Sequence, residues 1–267
     1  MGIVNVTPDS FSDGGLYYDC ASAVAHGERL VADGADILDI GAESTRPGAA
    51  PVPADEECQR LIPVIEALSK RVKVPISVDT RKAAVAKAAI RAGASIWNDV
   101  SALTYDPASL EMAADLGAPV ILMHAQGDPQ TMQDAPAYDD VVEEVYAFLK
   151  ARMDACLSAG IPREKITIDP GVGFGKILTH NLALLASLSK FTDLAPVLLG
   201  ASRKRFIAAV DRDGPAETRI GGSIAAAIAG AAAGVFYVRV HDVAETRQAL
   251  AVHNAIAGVN ASAQLSY

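Results

Sequence analysis

Residues 75–124 read PISVDTRKAAVAKAAIRAGASIWNDVSALTYDPASLEMAADLGAPVILMH, and this stretch decides the fold. Three short apolar runs stand in it, at 75–79, 95–100 and 119–124, separated by helical segments at 82–92 and 108–116. The runs are nearly continuous rather than alternating, which is the pattern of parallel strands covered on both faces. Both helical segments are followed by a C-capping glycine, Gly93 and Gly117. Every run ends on polar groups: Asp79, then Asn98 with Asp99, then His124.

The same rhythm extends in both directions. Further strand-like runs lie at 2–6, 37–41, 166–169, 197–200 and 235–240. Helical segments lie at 21–33, 55–70, 139–159, 223–233 and 243–257. Strands alternating with helices give an α/β protein, and about eight such units predict a (β/α)8 TIM barrel forming a single domain over residues 1–267. A doubly wound open sheet would place a Gly-rich phosphate-binding turn after its first strand. Here Asn5-Val6-Thr7-Pro8 follows instead.

Composition supports a chain with a sizeable core and excludes other classes. The chain has 267 residues, 51% hydrophobic and 21% charged, which rules out a disordered tail protein. Its net charge of −9 disfavours binding to nucleic acid or to an anionic membrane surface. Cys20, Cys58 and Cys156 are too scattered for a disulfide framework or a paired metal site, as expected of thiols in a reducing cytoplasm. No secretory signal is visible, and the apolar run at 224–234 is too short to span a bilayer. A cytoplasmic protein with small-molecule partners is the expectation.

In a barrel of this kind the chemistry sits where strands end. Those ends supply Asn5, then Glu43-Ser44-Thr45-Arg46, Asp79, Asn98-Asp99, His124, Asp169, Ser202-Arg203-Lys204, and Arg239 with His241. Asp79, Asn98 and Asp169 suit a ring that presents several N–H donors, because a carboxylate strengthens two parallel donors by charge. Arg46, Lys204, Arg239 and His241 suit a phosphate-type anion. The implied ligand is therefore an N–H-edged heterocycle carrying an anionic leaving group. Loops at 7–15 and 42–48 are rich in turn formers and hydroxyls, as covers over a pocket would be. The Gly-dense segment 169–176 lacks P-loop spacing, since Ile177 follows Lys176. Its glycines let the backbone approach a ring closely, with Phe174 presented over the pocket.

Seven stretches carry a family resemblance: MGIVNVTPDSFSDGG (1–15), AESTRPG (42–48), SVDT (77–80), NDV (98–100), DPGVGFGK (169–176), SRK (202–204) and RVHD (239–242). Together they closely resemble the dihydropteroate synthase family of folate biosynthesis, in the family's order. The resemblance implies an eight-stranded barrel that joins 4-aminobenzoate to 6-hydroxymethyl-7,8-dihydropterin diphosphate, releasing diphosphate, with Mg2+ travelling on the diphosphate. It implies that Asp79, Asn98, Asp169 and Lys204 hold the pterin, with Met123 and Gly200 as wall residues. Asn5, Arg46, Arg239 and His241 would serve the diphosphate, Asn5 standing nearest the metal. Thr45, Pro47, Phe174 and the start of the helix after Lys204 would border the aminobenzoate, the site that sulfonamides mimic. Asp79, Lys204, Arg239 and His241 are the implied catalytic set, in an SN1-like departure that needs no strong nucleophile from the protein.

The resemblance also implies a homodimer, for which the Ala-rich segments 223–233 and 243–257 offer flat surfaces. Two features depart from the family pattern. The first strand starts at once, so a covering element for the barrel floor is expected to be missing. Arg205 stands where many relatives have Ser, and the aminobenzoate carboxylate is expected to rest chiefly on backbone, with Arg205 facing solvent. Two alternatives share the pterin pocket. A pterin methyltransferase domain serving corrinoid proteins should lack the long first two loops and the SRK signature. A non-catalytic pterin-binding module has no need of a diphosphate site.

Overall fold

Eight short parallel strands follow one another around a ring in chain order. They are β1 (Gly2–Asn5), β2 (Leu38–Gly41), β3 (Ile76–Asp79), β4 (Ile96–Asp99), β5 (Val120–Met123), β6 (Ile166–Asp169), β7 (Leu198–Leu199) and β8 (Tyr237–Val238). The computed structural model describes residues 1–6, 15–44, 48–128 and 130–264. Strands β1 to β6 form one continuous parallel sheet, and β7 pairs with β8. Two single parallel bridges close the circle: Ile168 to Val197 joins β6 to β7, and Gly2 to Val240 joins the chain after β8 back to β1. Backbone bonds confirm the second seam, with Ile3 N donating to Val240 O at 3.1 Å and Val240 N to Met1 O at 3.0 Å. The chain is thus a (β/α)8 barrel.

Helices cover its outside: α1 (Gly15–Ala32), α2 (Ala54–Ser69), α3 (Ala83–Ala92), α4 (Ser109–Leu116), α5 (Val141–Ser158), α6 (Leu178–Ala186), α7 (Leu188–Thr192), α8 (Arg205–Val210), α9 (Ile220–Ala232) and α10 (Val243–Gln264). Strand periodicity sorts the side chains. Val4, Leu38, Ile40, Val78, Trp97, Leu122 and Ile168 join one outer core with helix residues such as Leu61, Ile65 and Leu149. A second, smaller cluster of Met1, Ile37, Ile121 and Leu198 fills the barrel floor. Both faces are buried, which is why the strands read as continuous apolar runs. At the other end of the barrel the inner positions turn polar, and there the functional groups gather.

The structure differs from the sequence reading in several places, among them the ends of α9 and α10, which reach Ile220 and Gln264 rather than 223 and 257. The paired parts of β7 and β8 are only two residues long, because the flanking residues bond singly: Phe236 N and Tyr237 N both reach Val197 O, and Arg239 N reaches Leu199 O. Residues 178–192, unassigned from sequence, form α6 and α7, whose Leu184, Leu188 and Phe191 are buried. Helix α1 begins at Gly15 rather than at 21. Among the described residues the three cysteines are free thiols. No described helix is long and apolar enough to cross a membrane.

Candidate active site

The barrel mouth is built on a connected set of charges. Arg239, just past β8, donates through Nε to Asp39 Oδ2 at 2.5 Å and through Nη2 to Asp79 Oδ2 at 2.8 Å. Asn98 Nδ2 donates to the same Asp39 oxygen at 3.2 Å. Strands β2, β3, β4 and β8 are thereby joined inside the barrel. Burial pushes the Asp79 carboxyl well above its ordinary range; Arg239 opposes this and the nearby Asp39 charge adds to it. Burial works against the Arg239 charge, but Asp39 and Asp79 outweigh it, so the guanidinium is held in its charged form.

Two more charged groups, Asp169 and Lys204, influence each other electrostatically nearby. Asp169 ends β6; its Oδ1 accepts from Gly171 N at 2.7 Å. A Cβ at Gly200 would lie 3.6 Å from Asp169 Oδ2 and 4.0 Å from Lys204 Nζ, so this glycine keeps room between the two. Lys204 also donates to Val172 O and lies 4.3 Å from the Phe174 ring centroid. Burial lowers the Lys204 pKa to about 8 against the pull of Asp169, while burial raises that of Asp169. Met123, the last residue of β5, is buried beside them, its register partner being Asp169.

The Gly-rich loop after β6 is pinned rather than free. Lys176 donates from Nζ to His124 Nδ1 at 2.9 Å and to Phe174 O at 2.9 Å. Burial and the Lys176 charge drive the His124 pKa down to about 3, so the imidazole is neutral and accepts from Nζ, while burial also lowers the Lys176 pKa to about 7. Gly171 has φ of 69°, and a Cβ there would sit 1.8 Å from His124 O. Only glycine permits this backbone contact, and it fixes where Phe174 stands. A cavity of about 250 Å3 opens next to Phe174, between Arg81, Val100, Tyr105, Met132 and Phe148.

The other strand-end groups stand outside the network of Arg239, Asp39 and Asp79. His241 is 3.0 Å from Ser202 Oγ through Nδ1, and Arg203 grips Asp242 at 3.0 and 2.5 Å. Asp99 turns back on its own loop, accepting from Ser101 N at 2.7 Å and Leu103 N at 3.1 Å. Glu43 joins a buried ion cluster instead of the mouth: it takes Arg81 Nε at 2.9 Å and Lys82 Nζ, and Lys82 also reaches the wholly buried Glu57 at 2.6 Å. Asn5 is half-buried at the end of β1. Thr45, Arg46 and Pro47 lie outside the described residues, as does most of the loop after β1. Arg205 is exposed at the start of α8, as expected.

Asp39 was missed by the sequence reading, although a lone carboxylate inside the apolar run Leu38–Ile40 was a signal. It is wholly buried. Among the described residues no group of three or more His, Cys, Asp or Glu is placed to hold a metal.

A barrel with carboxylates and cations facing each other across its mouth defines a class of enzyme that takes a polar ring with an anionic tail. Residues 1–241 match the family described as pterin binding enzyme. The chain belongs, within that class, to the dihydropteroate synthase family. It is 50% identical over 253 residues to dihydropteroate synthase of Escherichia coli strain K12, covering 94% of this chain and 89% of that one. The Xanthomonas albilineans dihydropteroate synthase solved with 4-aminobenzoic acid superposes with a TM-score of 0.91 at 52% identity, covering 96% of this chain and 92% of that one. The Yersinia pestis enzyme in a sulfonamide complex gives a TM-score of 0.91 at 46% identity, covering 97% and 94%.

Proposed function

We infer that this chain joins 6-hydroxymethyl-7,8-dihydropterin diphosphate to 4-aminobenzoate, giving 7,8-dihydropteroate and diphosphate. The observation that carries the reading is the charge layout of the mouth, Asp79, Asn98 and Asp169 with Lys204 and Arg239, in a chain half identical to a dihydropteroate synthase over nearly its whole length. Asp79, Asn98 and Asp169 accept the pterin's N–H edge, and Lys204 donates to the ring. Met123, Gly200 and Phe174 line the cleft.

The C–O bond from the pterin methylene to the diphosphate breaks first, its electron pair leaving on the diphosphate. The cation left behind is spread over the electron-rich ring and stabilised by the Asp79 and Asp169 carboxylates. The aminobenzoate nitrogen then forms the new C–N bond and loses a proton. Arg239 and His241, with Arg46 from the loop after β2, stabilise the charge on the leaving group. A magnesium ion on the diphosphate, ligated by Asn5, would supply further charge neutralisation. Thr45 and Pro47 border the aminobenzoate. The protein's share is positioning and electrostatics, in keeping with the absence of a nucleophile–base pair in the set.

Diphosphate release in the presence of both substrates tests this. Release that depends on 4-aminobenzoate supports it. Pterin binding without release would favour a binding module, and methyl transfer would favour the corrinoid-type reading. A homodimer is part of the proposal, supported by the exposed Phe236, and by Val252 and Ile256 on α10.

Two predictions arise here. The alkaline limb of kcat/KM for the pterin substrate should fall with a midpoint near pH 8, because Lys204 donates only when protonated and burial lowers its pKa to about 8. In Lys204→Arg, which stays charged, the limb should vanish from this range even if activity drops; an unchanged limb would assign it to another group. Arg205→Ala should change the aminobenzoate KM by less than about tenfold, or roughly 1.4 kcal/mol, since Arg205 is exposed. A much larger rise, with the pterin KM unchanged, would make Arg205 the carboxylate's main partner.

A further inference from the structure

Arg239 carries two jobs in the proposed reaction that its contacts set against each other. It serves the diphosphate, yet in this structure it occupies Asp79 Oδ2, the oxygen wanted for the pterin edge. The guanidinium edge formed by Nε and Nη2 is split, Nε on Asp39 and Nη2 on Asp79. Such an edge is shaped to fork onto both oxygens of one carboxylate. Asp39 offers the second oxygen: its Oδ1 is buried and has no hydrogen-bond partner among the described residues. Buried acceptors are normally satisfied, so a spare one beside a splayed arginine calls for an explanation.

We propose that Asp39 is a positioning residue on which Arg239 pivots, from a bridge between Asp39 and Asp79 to a fork on Asp39 alone. The pivot moves Nη2 from Asp79 Oδ2 to Asp39 Oδ1. It releases Asp79 to the pterin and leaves Nη1 for the anion. Nε stays on Asp39 Oδ2 throughout, and Asn98, bonded to that same oxygen, holds the carboxylate still. The two ends of the substrate are thereby coupled: an anion that captures Arg239 uncovers an acceptor for the ring. A like coupling holds for products, because loss of diphosphate lets Arg239 return to Asp79 and press the pterin end out.

This rests on the pterin diphosphate reading, and calorimetry separates the two. Binding of 6-hydroxymethylpterin is measured with and without saturating magnesium diphosphate. The wild-type protein should bind the pterin about tenfold more tightly with diphosphate. In Asp39→Asn the fork is lost and the ratio should fall below about twofold; a residue that merely supports the fold would change the melting temperature and leave the ratio intact. Should Asp39→Asn fail to fold, Arg239→Lys carries the test, since an ammonium keeps the charge but cannot fork, and its ratio should also collapse. A wild-type ratio near one, or a wild-type ratio preserved in either variant, overturns the pivot while the functional reading stands. Absence of pterin binding by the wild-type protein overturns both.

Discussion

Arg239→Ala is expected to lower kcat/KM for the pterin diphosphate about a thousandfold, roughly 4 kcal/mol. The substitution removes a charge-assisted partner of the leaving group, and it strips Asp39 and Asp79 of their shared counter-charge. Breaking a buried ion pair from one side costs about 3–5 kcal/mol of stability, so the melting temperature should fall as well. The diagnostic is the split between ligands. Diphosphate affinity should collapse, whereas the free pterin alcohol should lose little, because Asp79 is no longer covered. Equal losses for both ligands would show that Arg239 acts only through the fold.

Asp169→Asn should weaken pterin binding at least about a hundredfold, or roughly 2.7 kcal/mol, with the fold intact. The geometry decides which way the new amide faces. Gly171 N–H already donates to Asp169 Oδ1 at 2.7 Å and will hold the amide oxygen there. The NH2 group is then forced into the place of Oδ2, facing the Lys204 ammonium and the ring's own donors. A buried donor meeting donors is left unpaired, and binding sites discriminate strongly against that. Stability should change little, since burial already disfavours the charge at this position. Calorimetry with a pterin analogue reads the effect, and near wild-type affinity would remove Asp169 from the pterin site.

Strand ends were legible in the sequence because a barrel leaves a two-part signature there, an apolar run buried on both faces and then a polar residue. Asp79, Asn98, Asp169 and Arg239 were found that way, and the structure brings Asp79, Asn98 and Arg239 into one network through Asp39. Asp39 itself lies one turn of the pleat inside its strand, so a search confined to strand ends passed over it. Polarity alone also could not tell which strand-end groups face the mouth. Asp99 and Asn98 are neighbours on β4 and point to opposite faces; Glu43 and His124 are committed to Lys82 and Lys176, partners that only the folded chain brings near. Helices α6 and α7 went unread because no capping glycine marks their ends: Ser187 follows α6 and Asp193 follows α7, whereas Gly117 announces the equally short α4. The bridges that close the ring involve single residue pairs, which no local pattern encodes.

The central claim is that carboxylates at this barrel mouth read a pterin edge while the facing cations hold its diphosphate. A crystal structure of the protein with 6-hydroxymethylpterin and magnesium diphosphate tests it most directly. The account predicts the ring's N–H edge within hydrogen-bond distance of Asp79, Asn98 and Asp169, Lys204 donating to the ring, and Arg239 turned from Asp79 toward the anion. A pterin bound outside the barrel, or one seated with the Arg239–Asp79 pair unbroken and the diphosphate away from Arg239, would contradict it.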